Sequence, residues 1–364
     1  MGKIVCFHLL NDYSGSPIVL KTVLKGLLQR GCQIDLVSSR GGVLDELAPA
    51  THLRRRTYRY RFSPNAAVTM LRYAWVQCHT FVLALSYLFQ RDTVFYINTL
   101  LPVGPALAGR LTGKRVVYHY HENANAKGVF YRVLARAMQC LAHKIICVSA
   151  YQASFLKRQD KVMVVPNALP ETFVERVQPD IDRAFSQQTV LMLSSLKRYK
   201  GTEEFVALAT RLPQLKFILV ENATDEEIEA YFKAGGLKPT DNLVIYPRQE
   251  DVLPFYERSS LVVNLTLKHL AIETFGLTAL EAMTAGLPVI VPTVGGIAEM
   301  VEEGVNGYHI DADNLEQMAM RIGQMLTDKA QYTRLAKGAL EASRQYGAER
   351  MVEQIARQLS TTQN

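Results

Sequence analysis

The amino-acid sequence predicts an α/β protein with two doubly wound domains that face a central cleft. Short apolar runs alternate with helix-like segments along the whole chain. Because these runs are apolar throughout rather than alternating, they indicate parallel strands in sheets that helices cover on both faces. The series also restarts after a polar stretch near residues 170–188, which indicates a second domain with a core of its own.

The first domain is predicted over residues 1–172 and begins with a strand followed by a helix whose ends can be read. Ser16 is a favoured N-cap and Pro17 a favoured first helical residue, so we expect the helix to begin there and to reach about Arg30. Gly31 should end it. The strands of this domain are predicted at 3–10, 33–39, 93–99, 115–121, 144–150 and 161–167.

The second domain is predicted over residues 189–345, after a polar linker at 173–188. Helix-like residues from about 346 to 364 follow it, and this last helix could pack back on the first domain. The strands of the second domain are predicted at 189–195, 215–221, 242–247, 260–266, 288–292 and 307–311.

Composition and charge restrict the class of protein. The 364 residues are 48% hydrophobic, and the five cysteines form no CxxC pair, which is typical of reduced thiols in a cytoplasmic protein. The apolar part of the N-terminus is too short for a signal peptide. Residues 1–180 carry 23 Lys and Arg against 10 Asp and Glu, whereas the remainder carries 18 against 24. The two halves therefore predict different partners.

Two segments of the first domain make an anionic membrane surface a candidate partner. The run Arg54–Arg61 concentrates five arginines, although such a run is also typical of a solvated loop. The apolar segment 73–89 is too short to span a bilayer, so we predict either a core helix or an interfacial helix at the inner face of the membrane. Nucleic acid is not an expected partner, because no nucleic-acid-binding signature accompanies the arginines.

Ligands of doubly wound folds bind beyond the carboxyl ends of the strands, where candidate residues of the first domain lie. Gly15 and Ser16 precede the first helix, so they form either an anion-binding turn or an ordinary one. His119 and His121 share one face of a strand. A metal site would need a third ligand that the sequence does not present. We therefore interpret His121 as a catalytic or sugar-binding residue, with a buried core histidine as the alternative.

Three basic residues follow the first strand of the second domain. Lys197, Arg198 and Lys200 lie just where a helix is predicted to start. This arrangement favours either a phosphate clamp facing the cleft or a solvated basic turn.

Two glutamates eight positions apart lie in apolar surroundings of the second domain. Glu273 is predicted in a loop and Glu281 on the helix that follows. Thr278 and Glu281 also match a capping box, which would make Glu281 a helix cap. A loop carboxylate, a helix carboxylate and the backbone amides of 275–277 together suit a polyol diphosphate, because carboxylates accept hydroxyl hydrogen bonds and amides bind phosphate.

The stretch from Glu273 to Glu299 reads E-x-F-G-L-x-x-x-E-A-M-x-x-G-x-P-V-I, followed by G-G-x-x-E. It resembles the signature of glycosyltransferase family 4, retaining enzymes of the GT-B fold, in which two Rossmann-like domains face a cleft. The resemblance covers nearly the whole chain, since S-S-L-K-R-Y-K-G at 194–201 and E-E-G-V-N-G-Y-H-I-D at 302–311 fall in the family's order. It implies transfer of a hexose from a nucleotide sugar, with retained anomeric configuration and without a metal ion or other cofactor.

The resemblance also implies roles for the candidate residues. Glu281 would bind the ribose hydroxyls, Glu273 a hydroxyl of the donor sugar, and Lys200 the diphosphate, while His121 would contact the transferred sugar. Arg248 is placed near the base of the nucleotide. The full set of predicted donor-binding residues is Gly15, Ser16, Lys197, Arg198, Lys200, Arg248, Glu273, Thr274, Phe275, Gly276, Leu277 and Glu281.

The chain departs from the family's pattern at one basic position, and its acceptor-binding residues are predicted from their place in the fold. Asn98 and Thr99, at a strand end of the basic domain, are the candidate acceptor contacts. A glycan or lipid-linked glycan acceptor fits that charge and suggests surface polysaccharide biosynthesis. The family usually has an arginine where this chain has Ser195, so Lys197 or Arg198 would have to replace it.

Three other functions are consistent with parts of the sequence. The D-x-D at Asp311–Asp313 would suit a metal-dependent transferase of the GT-A fold, although a solvated turn also accounts for it. A nucleotide-sugar epimerase of the same fold would need no acceptor. A non-enzymatic basic adaptor for membranes or nucleic acid would leave Glu273 and Glu281 without a role.

Overall fold

The computed structural model describes residues 2–47, 49–124 and 128–360. It divides into two compact units, one formed by Met1–Pro170 with Tyr346–Asn364 and the other by Glu171–Gln345. Residues 173–188, predicted as a linker, therefore belong to the second unit, where part of them is helical. The strands are β1 (Lys3–His8), β2 (Ile34–Ser39), β3 (Leu53–Tyr58), β4 (Thr93–Asn98), β5 (Arg115–Tyr120), β6 (Lys144–Cys147), β7 (Val162–Val164), β8 (Thr189–Ser194), β9 (Lys216–Glu221), β10 (Leu243–Tyr246), β11 (Leu261–Val263), β12 (Val289–Val291) and β13 (Gly307–His309).

α-Helices connect most of these strands. They are α1 (Gly15–Gln29), α2 (Ala66–Leu85), α3 (Val103–Leu111), α4 (Val129–Leu141), α5 (Ala150–Ser154), α6 (Glu171–Val174), α7 (Ile181–Gln187), α8 (Thr202–Arg211), α9 (Asp225–Gly235), α10 (Leu253–Glu257), α11 (Leu277–Thr284), α12 (Leu315–Thr327), α13 (Lys329–Ser343) and α14 (Ala348–Leu359). Helix α1 begins earlier than predicted, with Ser14 rather than Ser16 at the N-cap position. It ends at Gly31 as expected, where φ is +75°.

Each unit contains one parallel sheet, as the apolar runs predicted. In the part of the chain that the structure describes, the first has seven strands in the order β3-β2-β1-β4-β5-β6-β7, and the second has six in the order β10-β9-β8-β11-β12-β13. The buried strands are apolar because helices cover both faces of such sheets. Two doubly wound, Rossmann-like domains are thereby confirmed.

The sequence did not predict strand β3. It lies at the edge of the first sheet and pairs in parallel with β2. Its sequence, LRRRTY, lacks an apolar pattern because an edge strand is partly solvated. Two of its arginines contact protein groups. Arg55 donates to the carbonyl oxygens of Asp45 and Leu47, and Arg56 lies 5.6 Å from the centre of the Tyr87 ring.

The first unit has two helical layers. Helices α2, α3 and α4 are neighbours and cover a core that contains Phe7, Phe95 and Met138. Their crossovers run across the sheet in the opposite direction from that of α1, so the right-handed rule places α1 on the other face. The last helix, α14, packs on α1, where a Cβ at Gly26 would lie 2.7 Å from Val352. Among the described residues, no helix is long and apolar enough to cross a membrane.

Candidate functional site

The second unit brings Lys200 and Glu273 into direct contact at the carboxyl end of its sheet. Lys200 lies in the turn after β8, and its Nζ donates a hydrogen bond to Glu273 Oε1. Thr266, in the loop after β11, donates to the same oxygen at 3.0 Å. The following Gly201 has φ +82°, and a Cβ there would lie 2.3 Å from the Leu265 carbonyl oxygen. This close approach explains why glycine follows the lysine.

Both members of this pair carry their charge at neutral pH. Burial raises the pKa of Glu273, but Lys200 and the hydrogen bonds from Thr266 and Asn264 outweigh it, so the pKa lies below its usual value. Burial lowers the pKa of Lys200, but the Glu273 carboxylate outweighs that effect and the pKa lies above its usual value. The site therefore contains an ammonium group that a carboxylate holds in one place.

A glycine pair fixes the loop that carries Glu273. The amide of Gly296 donates to the Glu273 carbonyl oxygen at 2.8 Å. Gly295 has φ +111°, and a Cβ there would lie 2.6 Å from the same oxygen. The first glycine of the G-G pair is thus required by the backbone that supports the carboxylate, and the second contributes its amide.

Helix α11 begins immediately after this loop, and no side chain among the described residues caps it. Gly276, with φ +98°, occupies the N-cap position, and Leu277 is the first helical residue. The first amides of a helix lack intrahelical acceptors and lie at the positive end of its dipole. The backbone amides of Gly276 and Leu277 therefore suit an anion. Phe275 is buried and anchors this turn, and Thr274 before it is half-buried.

Glu281 does not cap its own helix, so the capping-box interpretation is wrong. It lies more than one turn inside α11, and the capping-box position is held by Ala279. Its carboxylate accepts a hydrogen bond from the Tyr256 hydroxyl at 2.5 Å. Burial raises the pKa of Glu281 to about 7, although the Tyr256 hydrogen bond acts in the opposite direction. A carboxyl group held in this way is suited to hydroxyl partners.

Glu221 is a third carboxyl group of this region, fully buried, and it was not among the residues predicted from the sequence. It ends strand β9 and accepts a hydrogen bond from the Thr202 hydroxyl at 2.7 Å. Burial raises the pKa of Glu221 to about 7, against the opposing effects of Thr202 and Lys200. The signal was a glutamate at the end of an otherwise apolar strand, which is where functional side chains of such sheets lie.

The structure distinguishes between Lys197 and Arg198, the two proposed replacements for the arginine that the family usually has at the position of Ser195. Arg198 donates to both oxygens of Glu204, at 2.8 and 2.6 Å, and pairs with Glu203 at 3.2 Å. Its guanidinium is thus bound to α8, contrary to the donor contact expected of it. Lys197 is exposed, with Nζ 6.0 Å from the centre of the Tyr199 ring, and is the better-placed candidate.

Two other sequence candidates of the second unit lie at its surface. Arg248 is exposed after β10, and its amide donates to the Ala223 carbonyl oxygen at 2.9 Å. Asp311, from the D-x-D, accepts hydrogen bonds from Thr293 and forms an ion pair with Lys268 at 2.6 Å. Through these contacts Asp311 holds the loop that follows β12 in place, which explains its presence without a metal ion.

In the first unit, Gly15 and Ser16 lie within the first turn of α1 rather than before the helix, so their amides are among its first. Gly15 is exposed. The preceding loop is held by Asn11, whose side chain accepts from the Leu44 amide at 2.9 Å and donates to Asp45 at 3.1 Å.

A chain of buried polar side chains lies at the ends of β1, β4 and β5. Asn98 bridges two histidines, with Oδ1 3.0 Å from His121 Nε2 and Nδ2 3.0 Å from His8 Nδ1. His119 Nδ1 lies 2.7 Å from the Tyr96 hydroxyl, and its ring centre is 4.1 Å from that of His121. Burial lowers the pKa of His8 to about 4 and that of His119 to about 3. Burial, with His119 and His8 nearby, also holds the pKa of His121 well below its usual value, so all three rings are neutral.

These contacts correct two predictions for this strand end. Asn98 is fully buried and Thr99 is 5% exposed, so their side chains do not offer the acceptor contacts that the sequence predicted. Thr99 has φ +73°, a strained conformation for a β-branched residue, and its amide donates to the His119 carbonyl oxygen. Among the described residues, no group of three or more His, Cys, Asp and Glu could hold a metal ion.

Two family models of glycosyltransferases match the sequence. Residues 13–172 match the family model Glycosyltransferase Family 4, and residues 175–342 match Glycosyl transferases group 1. A D-inositol 3-phosphate glycosyltransferase of Xylanimonas cellulosilytica is 28% identical over 206 residues, 52% of this chain and 48% of that protein, so the chain spans about half of this relative's length. An uncharacterized glycosyltransferase of Haemophilus influenzae is 24% identical over 277 residues, 73% of this chain and 75% of that protein.

Solved structures share the fold over the full chain. Anabaena HepE in complex with UDP and glucose has a TM-score of 0.79 at 21% identity, covering 100% of both chains. HepE in complex with UDP-glucose has a TM-score of 0.78 at 21% identity, again covering 100% of both chains. The two family models together match most of the sequence, and the chain belongs to the family-4 glycosyltransferases, with two Rossmann-like domains of the GT-B type.

Proposed function

We propose that this protein transfers a hexose from a nucleotide-diphosphate sugar to a glycan or lipid-linked acceptor, with retention of anomeric configuration. The observation that carries the proposal is the Lys200–Glu273 pair beside the start of α11, with the Glu281 carboxyl group on the same helix. An ammonium group and helix amides suit a diphosphate, and carboxylates suit sugar and ribose hydroxyls. Surface polysaccharide biosynthesis on the cytoplasmic side of the membrane is the proposed setting.

A uridine-diphosphate sugar is the first donor to test. HepE, which shares the fold, was solved with UDP-glucose. In this proposal Glu281 binds the ribose, Lys200 and the amides of Gly276 and Leu277 bind the diphosphate, and Glu273 binds a hydroxyl of the sugar. The identity of the base has no separate support from the side chains.

The residues of the site favour stabilisation of the leaving diphosphate as the main source of catalysis. Negative charge develops on the diphosphate as the glycosidic bond breaks, and Lys200 and the helix amides are held in place to receive it. Glu273 is bound to Lys200 and Thr266 and its pKa is lowered, so it is a weak nucleophile and a weak base. We therefore assign it the orientation of the sugar, and the leaving phosphate takes the acceptor proton. Neutral His121 would contact the transferred sugar.

Product analysis tests this proposal against an epimerase of the same fold. The full chain would be incubated with a panel of UDP-, GDP-, ADP- and dTDP-sugars, with and without glycan acceptors, and products followed by proton NMR. We expect nucleoside diphosphate release and a first product with the anomeric configuration of the donor. An inverted product would contradict retention, and a new nucleotide sugar without diphosphate release would favour the epimerase.

Metal independence is the first testable consequence. Because a lysine and helix amides carry the diphosphate charge in this account, transfer should continue at an unchanged rate in excess EDTA. The assay is diphosphate release before and after chelation. Loss of activity that manganese restores would contradict the account and favour a metal-dependent mechanism.

Replacement of Asn98 tests whether its bridge positions His121. Asn98→Ala removes the hydrogen bond to His121 and leaves His8 without that partner, so we expect about a tenfold lower kcat and a loss of stability of about 1–3 kcal/mol. UDP affinity should not change. Thr99→Ser is the control at the adjacent position, since it keeps the amide that donates to His119. An Asn98→Ala variant that loses stability but keeps its kcat would show that the bridge is only structural.

A further inference from the structure

The outward face of α2 carries an apolar stripe that the proposed chemistry does not use. Leu71, Trp75, Val82 and Leu85 follow one another at helical spacing, and Phe89 extends the row beyond the end of the helix. Trp75 is 57% exposed, Val82 66% and Phe89 91%. A helix on the surface of a globular domain normally presents charged residues outward. In α2 the one Lys, Arg, Asp or Glu is Arg72.

The two neighbouring helices of the same layer extend this apolar surface. Leu107 and Leu111 of α3 are exposed, and so are Val129 and Val133 of α4. Helix α3 lies very close to α2, since a Cβ at Gly104 would be 2.2 Å from a carbonyl oxygen of α2. The helices α2, α3 and α4 therefore form one face, here called the α2–α4 face, with exposed apolar side chains on each member. Extended apolar surface of this kind marks an interaction site.

The charged residues of the α2–α4 face are all basic. The sequences of its helices contain Arg72, Arg110, Arg132 and Arg136, all exposed, and no Asp or Glu. Residues 53–141 as a whole contain 13 Lys and Arg against 2 Asp and Glu. One of those acids, Glu122, accepts hydrogen bonds from the backbone amides of Leu100 and His121.

The arginine run Arg54–Arg61 adjoins the α2–α4 face, and only some of its arginines add positive charge to that face. Arg54, Arg59 and Arg61 are exposed, whereas Arg55 and Arg56 contact protein groups as described above. The Arg72 guanidinium donates to the Arg61 carbonyl oxygen at 3.0 Å, which places the end of this run beside α2.

We propose that the α2–α4 face docks on an anionic lipid membrane, with α2 lying in the plane of the interface. The apolar stripe would enter the boundary between headgroups and acyl chains, where tryptophan is favoured, and the arginines would lie against anionic headgroups. A second copy of the chain is a poorer occupant, because a symmetric interface would bring the arginines of both copies together. The inference is independent of the donor chemistry and would place the first unit where a lipid-linked acceptor is found.

Vesicle flotation of the full chain tests the proposal. We expect binding to vesicles of phosphatidylcholine with phosphatidylglycerol, much weaker binding to phosphatidylcholine alone, and loss of binding at high salt. The variant Trp75→Glu with Val82→Glu should reduce binding by about tenfold or more. The variant Val244→Glu with Met320→Glu is the matched control, because these exposed apolar residues lie in the second unit, and it should bind as the wild type does.

Two further measurements separate the possible failures. Titration with UDP should give the same affinity for both double variants as for the wild type, so a negative flotation result would leave the donor proposal intact. Size-exclusion chromatography with light scattering reports the oligomeric state. Absence of wild-type binding to anionic vesicles, unchanged binding by Trp75→Glu with Val82→Glu, or a dimer that this variant dissociates would each overturn the membrane proposal.

Discussion

Lys200→Met should lower the rate of hexose transfer by about a hundredfold, because charge-assisted hydrogen bonds contribute about 1.5–3 kcal/mol each and the transition state carries more charge on the diphosphate than the substrate does. Methionine retains the length and apolar stem of lysine but not its charge. The rate of nucleoside diphosphate release under saturating donor is the measurement. An unchanged rate would remove Lys200 from the reaction.

The same substitution also leaves Glu273 without its ionic partner, so loss of activity alone does not establish a catalytic role. A buried carboxylate that loses its partner destabilises the fold, whereas removal of both charges is much less costly. We therefore expect Lys200→Met with Glu273→Gln to regain most of the thermal stability lost in Lys200→Met and to remain inactive. Recovery of activity in the double variant would show that the pair serves only the structure.

Glu281→Gln should stabilise the ligand-free protein at alkaline pH while it weakens nucleotide binding. The pKa of Glu281 is raised to about 7 in the fold, so its protonated form is favoured there. Below the pKa of the unfolded chain the carboxyl group is protonated in both states and costs no stability. Between the pKa of the unfolded chain and about pH 7, the carboxyl group is ionised in the unfolded chain but still protonated in the fold, so the free energy of unfolding falls as the pH rises. Above about pH 7 the group is ionised in both states, and the loss of stability is then constant.

Thermal unfolding at two pH values measures this effect. At about pH 8 the free energy of unfolding should rise by on the order of 3 kcal/mol in Glu281→Gln, and near pH 4 it should not change. Glu316→Gln, at an exposed position on α12, is the control and should show no such difference between the two pH values. Equal stability of Glu281→Gln and wild type at alkaline pH would mean that ionisation of Glu281 does not destabilise the fold.

The sequence predicted the sheets well because parallel strands buried on both faces must be apolar throughout. The same criterion overlooked β3, whose arginines are compatible with a strand only because an edge strand is partly solvated. Helix α1 was predicted two residues late at its start, since Ser14 and Ser16 are equally good N-cap residues by composition and only tertiary structure chooses between them.

Side-chain partners were harder to predict than elements. The contact between Lys200 and Glu273 joins residues 73 positions apart, and no local pattern specifies it. Arg198 is a plausible phosphate ligand by sequence, but Glu203 and Glu204, in the first turn of α8, bind its guanidinium. Asn98 was expected at the acceptor because it ends a strand, but the direction of its side chain along β4 turns it towards His8 and His121.

The central claim is that Glu273 and Glu281 hold different parts of one donor, and calorimetric titration of Glu273→Gln and Glu281→Gln with UDP and with UDP-glucose tests it most directly. We expect Glu281→Gln to lose about tenfold or more in affinity for both ligands, because it loses contacts to the ribose. Glu273→Gln should bind UDP as the wild type does and lose affinity or turnover only with UDP-glucose. Wild-type affinity for UDP in both variants, or an equal loss in both, would contradict the claim.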